Sequence, residues 1–214
     1  MLNRNDITLW IRREWRHLFH KLNPASRKKA AQWINSGGVD FLRMIGVKEC
    51  DVVIDFGCGP GNFSIPAGRL VGTDGIVYAV DKNPRVLKKV RRKADALGLQ
   101  NLRAADSLAE LMPMPEGRSC NVALLYDMLH FLDAPERMEL YAALHDMLAN
   151  EGILSAHLKH VKDNDPGRHF MTMSAEDVAR EIETAGFCLY RRLPVQVWHA
   201  HDTENSFVWN FIKR

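Results

Sequence analysis

The sequence lacks the features that mark membrane, fibrous and exported proteins. No stretch approaches the roughly 18 uncharged apolar residues that a membrane-spanning helix needs, and the opening MLNRNDITLW has neither a long apolar core nor a cleavage site. Glycine and proline, 14 and 9 of 214 residues, are few and show no period, which excludes collagen-like and repeat proteins. With 46% hydrophobic residues the chain is not disordered. We therefore expect a globular, cytoplasmic protein of one domain or two.

Cysteine is also scarce, and its spacing argues against disulfides and against a zinc site. The four cysteines lie far apart with no C-x-x-C pair: Cys50, Cys58, Cys120 and Cys188. We expect reduced thiols that are mostly buried. Five of the nine histidines follow residue 156: His157, His160, His169, His199 and His201. None forms H-x3-H on a helix, and the last two fall in a predicted polar loop, so the sequence predicts no metal site.

The chain divides into an N-terminal helical extension, residues 1–46, and one globular unit, residues 47–214. Apolar residues in the extension recur at three- and four-residue steps. This pattern predicts three helices: 7–22, 25–34 and 39–45. The small residues Ser36, Gly37 and Gly38 are expected to break the run between the second helix and the third.

Beyond the extension, short apolar runs alternate with helical segments. The predicted strands are 52–54, 75–80, 102–105, 121–126 and 152–158. The predicted helices are 61–71, 84–96, 134–149 and 175–185. Such alternation implies right-handed crossovers and a parallel sheet covered on both faces. Two further strands, 187–193 and 206–212, joined by a polar loop over 199–205, predict a hairpin at the sheet edge. The expected fold is α/β, a doubly wound, mostly parallel seven-stranded sheet with a C-terminal antiparallel hairpin.

The most informative segment is VVIDFGCGPGNF, residues 52–63. An apolar strand runs into Asp55, and glycines then follow at alternate positions: Gly57, Gly59 and Gly61. Such glycines let the backbone turn sharply and approach a ligand, and the helix N-terminus behind them offers N–H groups. A phosphate-binding loop is excluded because Asn62, not lysine, follows the last glycine. Dinucleotide binding stays open, although the G-x-G-x-x-G spacing is not met and Asp55 would repel a pyrophosphate while favouring an ammonium group.

This D-x-G-x-G-x-G pattern, with acidic residues at the next two predicted strand ends, resembles the class I S-adenosylmethionine-dependent methyltransferases. The resemblance extends over about 52–212 and implies S-adenosylmethionine as cofactor. It implies that the methionine end of the cofactor is held by the first strand end and the loop: Asp55, Gly57, Cys58, Gly59 and Gly61. It further implies that Asp81 binds both ribose hydroxyls, that Lys82 lies beside the adenine, and that Asp106 and Ser107 bind the adenine amino group and ring. Helix capping is the alternative role for each aspartate.

Methyl transfer from a sulfonium depends mainly on alignment and exclusion of water, and positioning alone can supply roughly 7 to 11 kcal/mol. Any general base should lie at the carboxyl ends of the strands, where open α/β sheets bind ligands. Tyr126 ends the fourth strand, and we assign it to the cofactor site. Asp127, His130 and His157 are the candidates for positioning or proton transfer. Packing in the core is the alternative for both histidines.

Positive charge is concentrated in two segments, although the net charge is only +3. Residues 1–33 contain eight basic and two acidic residues, and residues 82–93 contain seven basic residues and no acidic one. We expect the first segment, with Trp10, Trp15 and Trp33, to cover the acceptor cleft as a lid or to form a homodimer contact. An apolar acceptor pocket is expected from Phe170, Met171 and Met173. The predicted acceptor is a small molecule; the alternatives are an RNA methyltransferase and a non-catalytic cofactor-binding protein.

Overall fold

The computed structural model describes residues 24–112, 114 and 118–213, and the predicted helix 7–22 lies outside them. The helices are α1 (Pro24–Gln32), α2 (Gly38–Ile45), α3 (Ser64–Val71), α4 (Pro84–Ala96), α5 (Ala134–Met147) and α6 (Ala175–Thr184). The strands are β1 (Val52–Phe56), β2 (Ile76–Val80), β3 (Leu102–Ala105), β4 (Cys120–Tyr126), β5 (Leu148–His157), β6 (Phe187–His199) and β7 (Asp202–Lys213). Within these ranges, no helix combines the length and the apolar character that crossing a membrane requires.

The seven strands form one sheet in the order β3-β2-β1-β4-β5-β7-β6. Strands β1 to β5 pair in parallel, and β7 runs antiparallel to both β5 and β6. Both faces are covered, since Val52 and Ile54 belong to one buried apolar cluster and Val53 belongs to a second. The strand order reverses between β1 and β4, and ligands of open α/β sheets bind at the carboxyl ends of strands beside such a reversal. The predicted fold is confirmed.

The predicted break at Ser36–Gly38 is wrong, because the helical path continues through it. A π-helical turn, Trp33–Gly37, joins α1 to α2. The buried Trp33 donates its indole N–H to the carbonyl of Asn62 at 2.8 Å. Gly38 serves close packing, because a Cβ there would lie 2.6 Å from Cγ of Pro66 in α3. The glycine therefore brings the helix onto α3 instead of ending it.

The C-terminal hairpin is longer than predicted. Its strands are separated only by the turn at 200–201, where Ala200 has φ +53°. Strand β5 pairs with β7 only up to Ala156 and Trp209, so the outer half of the hairpin extends past the carboxyl end of β5. The predicted polar loop over 199–205 is wrong because this half has a polar inward face. Glu204 and Ser206 are half-buried, whereas the residues that alternate with them are exposed.

Smaller differences concern strand β5 and the cysteines. Helix α4 has the predicted bounds, and its basic residues Arg85, Lys88, Lys89 and Arg92 are exposed. Strand β5 begins at Leu148 and includes Glu151 at φ +63°, so the predicted helix 134–149 ends two residues early. Within the described ranges no disulfide joins the cysteines, and only Cys58 and Cys120 are buried.

A buried ion pair joins α5 to α6. Nε and one terminal nitrogen of Arg137 donate to the two carboxylate oxygens of Glu181 at 2.7 and 2.6 Å, and the arginine side chain is 2% exposed. Arg137 also donates to the carbonyl of Leu132 at 2.8 Å, and Tyr141 donates its hydroxyl to Glu181 at 3.1 Å. Removal of the carboxylate would leave the guanidinium charge buried without a counter-ion.

We expect Glu181→Ala to lower the free energy of unfolding by about 3–5 kcal/mol, because it leaves the Arg137 charge uncompensated. The neighbouring exposed pair, Arg180 with Asp177, offers a matched control. Arg180→Ala should cost at most about 1 kcal/mol. Urea unfolding followed by circular dichroism measures both losses. Equal losses in the two variants would contradict the assignment of Arg137–Glu181 as the pair that holds α6 to α5.

Candidate active site

The glycine loop after β1 is tied to the end of β2. The backbone N–H groups of Gly57 and Cys58 both donate to the carbonyl of Val80, at 2.8 and 3.0 Å. Gly57 has φ +76°, and a Cβ there would lie 2.9 Å from the Cβ of Met128, so both conformation and contact favour glycine. Among the described residues, a Cβ on Gly59 would meet only the Gly57 carbonyl oxygen, at 3.9 Å. The loop is therefore held on one side and open on the other.

Asp81, directly after β2, receives two backbone N–H groups. Its Oδ2 accepts from Gly59 at 3.1 Å, and its Oδ1 accepts from Asn83 at 2.8 Å. A carboxylate oxygen has two lone pairs, so each oxygen keeps one acceptor for a ligand. Two such acceptors suit the vicinal hydroxyls of a ribose. Asn83 caps α4 by accepting from the N–H of Arg85 at 3.1 Å, and Lys82 is exposed beside it.

Asp55 is buried, and the hydroxyl of Ser64, the first residue of α3, donates to it. Burial raises the pKa of Asp55 to about 6, and repulsion from Asp81 contributes to the same shift. Asp55 therefore supports the start of α3, the alternative considered from the sequence, and this contact does not prevent a second role. An ammonium group nearby would favour its ionised form.

Asp106 and Ser107 follow β3, the next strand in the sheet, with Asp106 exposed and Ser107 half-buried. The three aspartates thus stand at the carboxyl ends of three adjacent strands. The Cys58 side chain is buried and burial raises its thiol pKa, so the thiol is not suited to ligand binding.

Tyr126, at the end of β4, is buried among aromatic rings, with its ring centroid 4.6 Å from that of Phe63. Its hydroxyl lies 2.6 Å from the hydroxyl of Ser155, which donates to Asn210 at 2.8 Å. Asn210 in turn donates to the carbonyl of Ile45 at 2.7 Å. The polar end of Tyr126 is therefore used inside the protein, beneath the glycine loop.

Asp127, the next residue, has φ +56° and meets two histidines. Its Oδ1 lies 3.1 Å from Nε2 of His160, and its Oδ2 lies 3.4 Å from Nε2 of His199. The two Nε2 atoms are 3.2 Å apart. Burial alone would raise the pKa of Asp127, but the two imidazoles outweigh it and hold that pKa well below its usual range.

The other two candidate catalytic residues border this cluster. The ring of His130, in the 3₁₀ turn Leu129–Phe131, is buried with its centroid 4.4 Å from that of His160. His157 ends β5, and its Nε2 lies 2.9 Å from the hydroxyl of Ser206. Burial lowers the pKa of His157 to about 4, so its imidazole is neutral at pH 7 and a weak base.

The structure thus brings together all three candidate catalytic residues at the carboxyl ends of β4 and β5. Met128 links them to the cofactor side, because it follows Asp127 and packs against Gly57. Sequence reasoning missed His160 and His199 as partners of Asp127. The run 202–206 is entirely polar and gives no sign of a strand, so sequence reasoning placed His199 in a loop instead of at a strand end.

Comparison with known proteins decides between the cofactors left open by the glycine loop. The sequence family described as "Methyltransferase domain" matches residues 53–152, a stretch that contains the loop, Asp81 and Asp106. Residues 53–152 thus form a methyltransferase domain, in agreement with the resemblance to the class I S-adenosylmethionine-dependent methyltransferases. The cofactor is accordingly S-adenosylmethionine, and dinucleotide binding is set aside.

Individual relatives agree with the family. The chain is 30% identical over 118 residues to the aklanonic acid methyltransferase of a Streptomyces strain, covering 51% of this chain and 53% of that protein. It is 38% identical over 60 residues to a probable cobalt-precorrin-6B C(15)-methyltransferase of Saccharolobus solfataricus, covering 28% and 30%. The chain spans about half, or less, of the curated relatives that it matches. An S-adenosylmethionine-dependent methyltransferase from Aquifex aeolicus has the same fold, with TM-score 0.68, 22% identity and coverage of 90% and 100%.

The residues fit this cofactor. Gly59 opens the loop to a ligand, and Asp81 keeps one acceptor on each oxygen while the backbone holds it in place. When bound, S-adenosylmethionine supplies a methyl group on a sulfonium that leaves readily as a thioether. The binding roles of the individual residues stay predictions, which the next two experiments test.

Asp81→Ala should weaken binding of S-adenosylhomocysteine by about 1–3 kcal/mol, or about 5- to 150-fold, because two ribose hydroxyls lose their acceptors. Isothermal titration calorimetry measures the change, with NAD as a ligand that should not bind. Asp74→Ala, an exposed aspartate at the opposite end of β2, is the matched control and should bind like the wild type. Wild-type affinity in Asp81→Ala would show that the ribose assignment is wrong.

Cofactor affinity should fall as the pH is lowered through about 6. The carboxyl of Asp55 has a pKa of about 6 in the free protein. A bound ammonium group favours the carboxylate, so the pKa falls in the complex and binding releases a proton around this pH. Calorimetry between pH 5 and 8 measures the slope. Asp55→Asn should bind more weakly at pH 8 and lose the slope; a slope unchanged in Asp55→Asn would assign the proton to another group.

Proposed function

We propose that this methyltransferase transfers the methyl group of S-adenosylmethionine to a small-molecule acceptor by in-line displacement. The observation that carries the proposal is the enclosure of the polar cluster at the carboxyl ends of β4 and β5. The outer half of the hairpin covers it, and the side chains of Asp127, His160 and His199 are 34%, 12% and 16% exposed. A site of this shape suits a small acceptor better than a polynucleotide.

The names of the relatives support the same class of acceptor. They act on aklanonic acid, on a cobalt-precorrin and on demethylmenaquinone, all of them small organic molecules. The chain itself would supply alignment of the acceptor and exclusion of water. Of the three candidate catalytic residues, Asp127 is suited to positioning and His130 borders the same edge. His157 is the least suited to proton transfer because its pKa is low.

The apolar lining expected from the sequence differs in part. Phe170 is buried beneath the guanidinium of Arg137, 5.0 Å from its ring centroid, and Met173 packs on the same core cluster. Met171 alone of the three is exposed. The acceptor site in our proposal is therefore formed by polar groups and the hairpin, and the predicted pocket of Phe170, Met171 and Met173 is wrong.

A lid from the N-terminal extension remains part of the proposal. Trp33 packs on the domain, but Lys29 of α1 forms an ion pair with Asp202 at the turn of the hairpin. This ion pair places α1 beside the outer half of the hairpin. A cytoplasmic location and a homodimer through the N-terminal helices complete the proposal, the latter to be tested by light scattering of the full chain.

RNA is the second candidate acceptor, because α4 exposes a basic stripe. Two basic residues of this helix have structural roles, since Arg91 donates to the carbonyl of Ala104 at 2.9 Å and Lys93 to that of Pro60 at 2.7 Å. The stripe itself comprises Arg85, Lys88, Lys89 and Arg92, all exposed. It is the surface on which an RNA proposal would depend.

Formation of S-adenosylhomocysteine should be measured with a panel of phenols, thiols, amines and carbon acids, and in parallel with total RNA. We expect turnover with at least one small acceptor, and the same rate in a variant whose four stripe residues are changed to glutamine. Turnover confined to RNA, lost in the glutamine variant and suppressed by salt, would overturn the small-molecule proposal. Cofactor binding without turnover on any acceptor would favour a non-catalytic binding protein.

A further inference from the structure

We propose that Asp127, His160 and His199 form a binding site for a divalent transition-metal ion of the zinc class. The sequence predicted no metal site, because these three residues come from distant segments. The fold places them at the ends of β4, β5 and β6, with their ligand atoms all within 4.8 Å of one another. This metal site lies on the acceptor side of Met128, outside the glycine loop that holds the cofactor.

An acceptor lies behind each imidazole. Nδ1 of His160 lies 2.8 Å from the backbone carbonyl of Asp165, and Nδ1 of His199 lies 3.3 Å from Oε2 of Glu204. A carbonyl and a carboxylate can only accept, so a proton on Nδ1 is favoured in each ring. Nε2 is then the atom with which each histidine would bind a metal ion, next to the carboxylate of Asp127. Carbonyl and carboxylate partners of this kind are those found behind metal-bound histidines.

Ligand atoms at such short range need a proton or a metal ion between them. Oδ1 of Asp127 is buried and, within the described part of the chain, meets no donor with hydrogen-bond geometry. Lys159 is paired with Glu204. The two imidazoles are therefore the groups that neutralise Asp127 in the metal-free protein, and a bound ion would take the place of their Nε2 protons.

The distances fit a small tetrahedral ion. Ligand atoms that lie about 2.0–2.1 Å from a tetrahedral zinc are about 3.3–3.4 Å apart. The two Nε2 atoms are 3.2 Å apart, and each lies close to one oxygen of Asp127, His160 to Oδ1 at 3.1 Å and His199 to Oδ2 at 3.4 Å. Two imidazoles and one carboxylate are ligands that zinc and other first-row divalent ions accept. Three protein ligands leave a fourth position open, and the one-third exposure of Asp127 makes that position reachable.

The open coordination position suggests which acceptors the enzyme takes, and this step of the inference rests on the proposed function. At the acceptor edge, it would bind an oxygen or sulfur atom of the acceptor and favour its ionised form, since a bound divalent ion lowers the pKa of its ligands. Acceptors with a hydroxyl or thiol at the methylated position are therefore the class that this site would select.

Metal binding can be tested without methyl transfer. Chelator-treated full-length protein is titrated with zinc against a chromophoric chelator, and with cobalt(II), whose visible spectrum reports tetrahedral coordination. We expect one equivalent of either ion in the wild type, with a rise in melting temperature that a chelator reverses. His160→Ala and His199→Ala should lose binding at least 100-fold. Glu204→Gln, which removes the carboxylate behind His199, should weaken it about 10- to 100-fold.

His145→Ala is the matched control, because His145 lies on α5 and takes no part in the cluster. It should bind zinc like the wild type. Binding of S-adenosylhomocysteine by every variant shows that the protein is folded and keeps the outcome independent of the proposed acceptor. If the wild type binds the cofactor but neither metal, or if His160→Ala and His199→Ala bind zinc as tightly as His145→Ala, the proposal is wrong and a shared proton fills the cluster.

Discussion

The architecture depends on one constraint of parallel sheets, that the groups following each strand emerge at the same edge. Here that edge is made rigid by a few backbone hydrogen bonds. The carbonyl of Val80 receives the N–H groups of Gly57 and Cys58, and the carboxylate of Asp81 receives that of Gly59. The loop after β1 is thus attached to the end of β2. Through Met128, which packs on Gly57, the same attachment determines where the residues after β4 stand. The same backbone contacts therefore position both the cofactor side and the acceptor side of the site.

Elements with an apolar face were predicted well from the sequence. Helix α4 has the predicted bounds because Leu87, Val90 and Ala94 recur at helical spacing and Asn83 supplies its cap. The residues of the predicted cofactor site could be named from the sequence for a similar reason, since the loop is contiguous in the chain and the acidic residues each follow an apolar strand. In these places local pattern and tertiary packing demand the same residues.

Prediction failed where tertiary contacts gave residues a use that their local pattern does not reveal. Gly38 was expected to end a helix, but its missing side chain instead lets Pro66 of α3 pack closely against α2. In the outer half of the hairpin burial alternates along the strand, but the residues turned inward, Glu204 and Ser206, are polar. A run of polar residues is easily taken for a loop. His199 was misplaced for that reason, and its meeting with Asp127 depends on strand order, which no spacing in the sequence discloses.

The hydrogen-bonded chain from Tyr126 through Ser155 and Asn210 to the carbonyl of Ile45 has a practical consequence for protein engineering. The residues before β1 complete the interior of the sheet, so they are not an interchangeable attachment. A chimera that exchanged N-terminal segments among relatives to alter their acceptors would have to place its junction before Trp33. With a junction at residue 46, the position of the carbonyl that Asn210 needs, and the ring that fills the place of Trp33, would both depend on the foreign segment.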